Sequence, residues 1–396
     1  MTDKKIPIYL LILMAAIPAF SLDIYLPLLE QIREQLATSV TSAQMTISLF
    51  VISFAFIQLV IGPLSDNYGR KKVLYVGLLL FILGSLVAIF SADINTLMFA
   101  RVLQGAGACT GVVSAFAIAR DGFSLDERAT VLATIGMYVA LAPIIAPVIG
   151  GLLSESMGWR YIFLLLAVLS FIILLLVTVK LPETLAQKNS YKIKSLLLNY
   201  KEMLCHRDFV VFTAIGMCAF TSLFCFISMS PHIFINQLGY NSNDFGFIFA
   251  FNALVFFAGS KLSIKLSKTK THSFSITLGL TLLISGGVVM ALLGMYMKPK
   301  MELVLLPMAL ASVGISIVLP NATSLMLEPF GDKAASASAL NGFIRFVFAG
   351  SASVLVTFLD FPPHLILAFS LVSLSVLSWF IWLVSKYNYA LKTVSQ

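Results

Sequence analysis

The sequence predicts an all-α integral membrane protein, with twelve transmembrane helices in two six-helix bundles. Three observations predict it. First, 59% of the 396 residues are apolar and only 11% are charged, and a mean hydropathy of +0.97 is incompatible with a water-soluble domain of this length. Second, apolar windows of about 20 residues, the length a helix needs to cross about 30 Å of hydrocarbon, recur along almost the whole chain. Third, these windows fall into two sets that correspond at an offset of roughly 200 residues, on either side of one long polar stretch, as repeat architectures do.

The spans are expected near 6–29, 42–64, 73–91, 95–118, 129–153, 159–180, 209–231, 243–263, 274–297, 301–326, 336–358 and 363–386. They lack the period-two alternation of barrel strands. The first follows Lys4 and Lys5 but is too long for a signal-peptide core, and eleven more follow it, so it is read as retained. The stretch "LPETLAQKNSYKIKSLLLNYKEMLCHRD" places a cytoplasmic linker at 182–208, between an N-terminal bundle at 1–181 and a C-terminal bundle at 209–396. Two parallel repeats of this kind are a transporter architecture, with the substrate site expected between them near the midplane.

With both termini cytoplasmic, most of the 26 Lys and Arg fall in inside loops. Outside loops keep only Arg33, Arg160, Lys298 and Lys300, so the positive-inside rule sets the orientation. The net charge of +8 therefore reflects topology and implies no nucleic-acid partner. Arg101 and Arg345 remain, both within spans.

Four cysteines and four histidines are scattered without metal spacing, and no Ser/His/Asp, HExxH or nucleotide-binding loop occurs. An enzyme is therefore not expected, nor a metal or organic cofactor. Without a nucleotide site, uphill transport has to draw on an ion gradient.

The tight loop after span two reads "GPLSDNYGRKK" at 62–72 and resembles the G-x-L-a-D-r-x-G-r-k signature of the major facilitator superfamily. Gly62 would let helices approach closely, Asp66 supplies an anion, Gly69 permits the turn, and Arg70, Lys71 and Lys72 face the anionic inner leaflet. The resemblance implies that Asp66 faces the start of span eleven near Ser336 and that Arg70 pairs with Asp121 at the inner end of span four, holding an inner gate shut. In the second half "GSKLSIKL" at 259–266 has no acid where Asp66 stands, so a weaker gate is expected there. "LMFARVLQGAGA" at 97–108 resembles the family's fourth-span motif around an Arg. "APIIAPVIGGLL" at 142–153 resembles its fifth-span antiporter motif, with Ala146-Pro147 replacing the usual Gly-Pro. There Pro143, Pro147, Gly150 and Gly151 bend and pack the helix, a bend that the family associates with antiport. Together with "SLDIYLPLL", "AIARDGF", "GWRYIFLLL" and "ASASALNGFIRF" in their order, these strings look like the Bcr/CflA-type branch of drug:proton antiporters.

Asp23 is the only acid placed well inside any span. Asp23 and Arg101 each lie about six residues from the outer ends of spans one and four, roughly 9 Å deep at about 1.5 Å per residue. A lone ion there costs about 2.5–3.5 kcal/mol or more, so a shared aqueous cavity or a direct pair is expected. A carboxylate tuned by desolvation and by a nearby cation can bind and release a proton as the cavity changes its opening. A static pair that only locks helices is the plainer reading. Arg345, near the midplane of span eleven, is a candidate substrate contact. Gln58, Asn252, Asn321 and Asn341 are further cavity candidates, each equally a helix-to-helix hydrogen bond, and Tyr25, Tyr138, Phe224, Phe226 and His232 could form an aromatic lining.

The expected protein is a multi-pass exporter of the bacterial inner membrane, acting as a monomer in the lipid bilayer and exchanging a small amphipathic molecule for protons by alternating access. A dedicated exporter of one solute, such as a siderophore, amino acid or sugar, fits the same motifs. A non-transport multispan enzyme or sensor would need a catalytic constellation or a soluble output domain that the sequence lacks.

Overall fold

The computed structural model describes residues 6–185 and 193–394. Its α-helices, in order, are α1 Ile8–Asp23, α2 Leu29–Gln35, α3 Val40–Tyr68, α4 Arg70–Ile89, α5 Ile94–Gly122, α6 Leu125–Val139, α7 Ala142–Met157, α8 Trp159–Lys180, α9 Ile193–Cys205, α10 Arg207–Pro231, α11 Ser242–Thr269, α12 His272–Tyr296, α13 Met301–Leu327, α14 Ala334–Leu355 and α15 Pro363–Val394. No strand occurs among the described residues. Among the described residues, twelve helical stretches are long and apolar enough to cross a membrane, as the hydropathy predicts. The first span runs past its expected C-terminal end, continuing through a 3-10 turn at Leu26–Leu28 and α2 to Gln35. Pro27 sits where its missing N–H costs nothing, and an ion pair between Arg33 and Glu30, three residues apart, carries the helix on into the polar region.

The chain divides into two compact units, residues 1–195 with 241–250, and residues 196–240 with 251–396. Part of the expected linker, 186–192, lies outside the described residues. Residues 193–205 of it form α9, which turns Leu196, Tyr200 and Met203 inward and pairs Glu202 with Lys333. Elsewhere, short polar residues cap helices where the sequence places them. Asp93 accepts from the Thr96 amide at 2.9 Å to start α5, Ser124 and Glu127 form a reciprocal capping box on α6, and Thr271 accepts from the Phe274 amide to start α12.

The same kind of packing seam occurs inside each unit. In the first, a Cβ on Gly84 would lie 2.8 Å from the Ala100 carbonyl oxygen, and one on Gly107 would lie 2.5 Å from that of Gly77. In the second, a Cβ on Gly286 would lie 2.6 Å from the Pro307 carbonyl oxygen, and one on Gly314 would strike that of Gly279. Only glycine permits backbones this close. Gly279 and Gly286 stand 202 residues after Gly77 and Gly84, while Pro307 and Gly314 stand 207 after Ala100 and Gly107. The α4–α5 pair and the α12–α13 pair are therefore the same structure, built twice.

Candidate functional site

A polar cluster is buried in the first unit where α1, α3 and α5 converge. Arg101, fully buried, lies on α5 with its guanidinium carbon 4.5 Å from the Tyr25 ring centre and 4.4 Å from that of Phe50. Its Nη1 donates to Gln104 Oε1 at 2.9 Å, and Gln104 in turn donates to Ser85 Oγ at 2.8 Å. Longer contacts reach the Thr46 carbonyl at 3.4 Å and Ser21 Oγ at 3.5 Å. Because Thr46 gives its hydroxyl proton to the Ala43 carbonyl, Tyr25 must donate to Thr46 across their 2.6 Å contact. Arg101 Nη2 has no hydrogen-bond partner.

Asp23, 4% exposed, ends α1 and is the one buried carboxylate among the described residues. It forms no ion pair with Arg101. The direct pair weighed from their matching depth is thus absent, and two aromatic faces plus neutral oxygens hold the guanidinium instead. The fifth-span stretch bears on the same place. It lies on α7, with Pro143 in the first turn and Pro147 inside the helix. A Cβ on Gly150 would strike the carbonyl oxygen of Ile24, the residue after Asp23. Gly151 and Pro147 pack on residues 241–250: a Gly151 Cβ would lie 2.5 Å from the Ser242 carbonyl oxygen, and Gly246 sits against Pro147.

At the other end of the unit, Arg70 occupies the first position of α4 with 6% of its side chain exposed. Its Nη2 reaches Asp66 at 2.6 Å, its Nε donates to Asp121 at 2.9 Å, and its Nη1 donates to Ser65 at 3.1 Å. Gly69 turns the chain at φ +106°, a conformation costly for any residue with a Cβ. Sequence reasoning missed Glu183. Its carboxylate accepts from the Arg70 and Lys71 amides at 3.0 and 3.2 Å, an anion on a helix N-terminus. Lys71 Nζ meanwhile donates to the carbonyls of Thr178 and Leu181. Within the first unit a Cβ on Gly62 would meet nothing within 4 Å, so the close approach expected there is not made between that unit's helices.

The second unit keeps a different inventory. Arg345 lies 4.7 Å over the Phe220 ring, which stacks on buried Phe224 and meets Phe346 edge-on. Asn252 accepts from Ser312 at 3.0 Å, a helix-to-helix bond. Asn321 likewise bonds across helices, to Ser263 and His272, and His232 contacts Asn236 within a short π-helical turn. Asn341 is buried, Gln58 is half-buried with its Oε1 unpartnered, and Tyr138 is exposed. The four cysteines are free. Gln104, three residues after Arg101, was legible as a helical neighbour; Phe50, Thr46 and Phe220 carried no local signal.

A twelve-span protein with a repeated seam, buried charge in one unit and an arginine-centred loop at its end has the makings of a secondary transporter. The family model for the Major Facilitator Superfamily matches residues 11–354, and the chain belongs to that superfamily: it is a multi-pass membrane transporter of small molecules, not an enzyme. It is 28% identical over 352 residues to the uncharacterized MFS-type transporter YdgK of Bacillus subtilis, covering 88% of this chain and 87% of that one. It is 26% identical over 380 residues to the bicyclomycin resistance protein homolog of Haemophilus influenzae, covering 93% and 94%. Among solved structures it matches the peptide transporter POT in complex with alafosfalin with a TM-score of 0.76 at 14% identity, over 96% and 94% of the two chains.

Proposed function

We propose that this chain is a proton-coupled exporter of small amphipathic molecules, of the Bcr/CflA drug-efflux type, working as a monomer in a bacterial inner membrane with both termini cytoplasmic. The names of its relatives support the export of drugs, among them a chloramphenicol resistance protein of Pseudomonas aeruginosa and the multidrug resistance protein D of Escherichia coli. The arrangement of lysines and arginines supports the orientation. The observation that supports the coupling is the presence in one unit of a buried carboxylate, Asp23, and a buried Arg101 whose Nη2 is unsatisfied. A group left unpartnered in a buried place is costly, and the site recovers that cost when a substrate oxygen reaches Nη2. Asp23, which has no fixed cationic partner, is available to carry the proton. One proton entering down about 150 mV yields roughly 3.5 kcal/mol, enough for a substrate gradient of between two and three decades.

The test is substrate flux in proteoliposomes under an imposed pH gradient. Asp23→Asn, which keeps shape but cannot titrate, eliminates proton-driven accumulation and leaves downhill exchange, whereas Asp23→Glu retains activity with a shifted pH profile. Uphill flux by Asp23→Asn at the wild-type rate would refute the coupling role.

A further inference from the structure

The repeated seam aligns residues beyond its glycines. At the offset of 202, His272 is the counterpart of Arg70, each the first residue of its helix. At the offset of 207, Glu328 is the counterpart of Asp121. The first unit thus has a permanent cation facing an acid, and the second has an imidazole where the cation stands. We propose that His272 and Glu328 form a proton-operated version of the Arg70–Asp121 latch, closed when the cytoplasmic side is acidic and open when it is alkaline.

The hydrogen bonds fix which imidazole nitrogen responds. Both hydrogens of Asn321 Nδ2 are committed, to Ser263 Oγ at 3.2 Å and to the Ile317 carbonyl at 2.8 Å. Asn321 Oδ1 is therefore the acceptor, and His272 Nδ1 donates to it at 2.8 Å. The incoming proton then goes to Nε2. His272 and Glu328 line one cavity of about 600 Å³ with His206, Asp208, Phe212 and Trp382, and no ion pair joins the two in this structure. The charged and titratable groups that line this cavity with His272 are His206 at the N-cap of α10, Asp208 in its first turn and Glu328 in the turn after α13. α15 contributes Trp382 and α11 contributes Ser263, neither of which titrates near neutrality, and Lys270 on the approach to α12 lies over the Phe274 ring. Glu328, the counterpart of Asp121, is the carboxylate toward which protonated His272 is drawn across the cavity while Nδ1 keeps Asn321. Neutral His272 has only the Asn321 bond, and the start of α12 is held less firmly.

The experiment needs no substrate, so its failure is distinguishable from failure of the export reading. Amide hydrogen exchange over residues 271–278 is followed by mass spectrometry in purified full-length protein at about pH 5.5 and about pH 8, a range that spans imidazole titration, with intrinsic rates corrected. Wild type is expected to be protected roughly two- to fivefold more at the acid pH, the range of a partly exposed ion pair. His272→Gln, which still donates to Asn321, loses the difference. His272→Arg is protected at both values, and adding Glu328→Gln removes that protection. His206→Gln keeps the wild-type difference. Equal protection of wild type at both values, a difference that survives His272→Gln, or one abolished by His206→Gln would each overturn the proposal.

Discussion

Removing Arg70 gives the sharpest test of the loop. Its guanidinium holds two carboxylates and a hydroxyl at 2.6, 2.9 and 3.1 Å, so Arg70→Ala leaves Asp66 without its cation and Asp121 with only the exposed Arg120 at 3.9 Å. Breaking a fully buried pair costs about 3–5 kcal/mol. Here each carboxylate keeps 22% of its side-chain exposure and recovers part of that in water, so the expected loss is about 2 kcal/mol. Arg70→Lys supplies one compact ammonium for a three-way fork and should lose about 1 kcal/mol. The assay is equilibrium unfolding in mixed micelles, with a double-mutant cycle on Arg70→Ala and Asp121→Ala. A coupling energy of about 1–2 kcal/mol is expected for two groups in contact, and a value under about 0.3 kcal/mol would refute the reasoning. Both Arg70 variants should insert normally and show reduced flux.

Arg101→Ala should abolish proton-driven flux, and Arg101→Lys should be severely impaired, because an ammonium cannot lie flat between Tyr25 and Phe50 and still reach Gln104; full activity of the Lys variant would sink the role of planarity. Gly150→Leu should lower thermal stability and flux by driving a side chain into the Ile24 carbonyl, whereas Gly62→Ala should match wild type in both. At Asp93, hydrogen bonds from the Thr96 amide and hydroxyl hold the carboxyl below its ordinary range. A lowered folded-state value gives stability that is present above the unfolded value and lost as pH falls through the folded one. Asp93→Asn, still a good cap, should therefore leave neutral-pH stability intact and flatten the acid end of a thermal-denaturation series; an unchanged acid limb would count against the cap.

What was legible in the sequence follows from the range of each interaction. Spans are local: about 20 apolar residues suffice to define one, and the twelve found lie where hydropathy placed them. The Arg70–Asp121 contact followed from a motif whose residue types admit few arrangements. The aromatic cage around Arg101 did not, because Tyr25 follows α1 and Phe50 lies on α3, and only folding brings their faces to the α5 guanidinium. Depth matching placed Asp23 and Arg101 at one level, yet level says nothing about azimuth, so it could not exclude the guanidinium turning toward aromatic rings. Glu183 was hidden for a similar reason: a glutamate in a polar stretch looks solvated until the start of α4 is found beneath it.

The two units repeat their backbone seam but not their charges, and that contrast constrains mechanism. Gly77, Gly84 and Gly107 have counterparts that pack the same way, because helix approach tolerates little variation. Arg101 aligns at the offset of 207 with Met308, and Gln104 with Ala311, so the second unit has no buried guanidinium at the matching depth. Its arginine within an expected span, Arg345, sits on α14 over Phe220. Among the described residues, a buried carboxylate and a caged guanidinium therefore occur together in the first unit alone. If coupling depends on that pair, exchanging Met308 and Ala311 for Arg and Gln would add a buried charge with no carboxylate to answer it. The duplicated scaffold would then be destabilised without gaining a second coupling site.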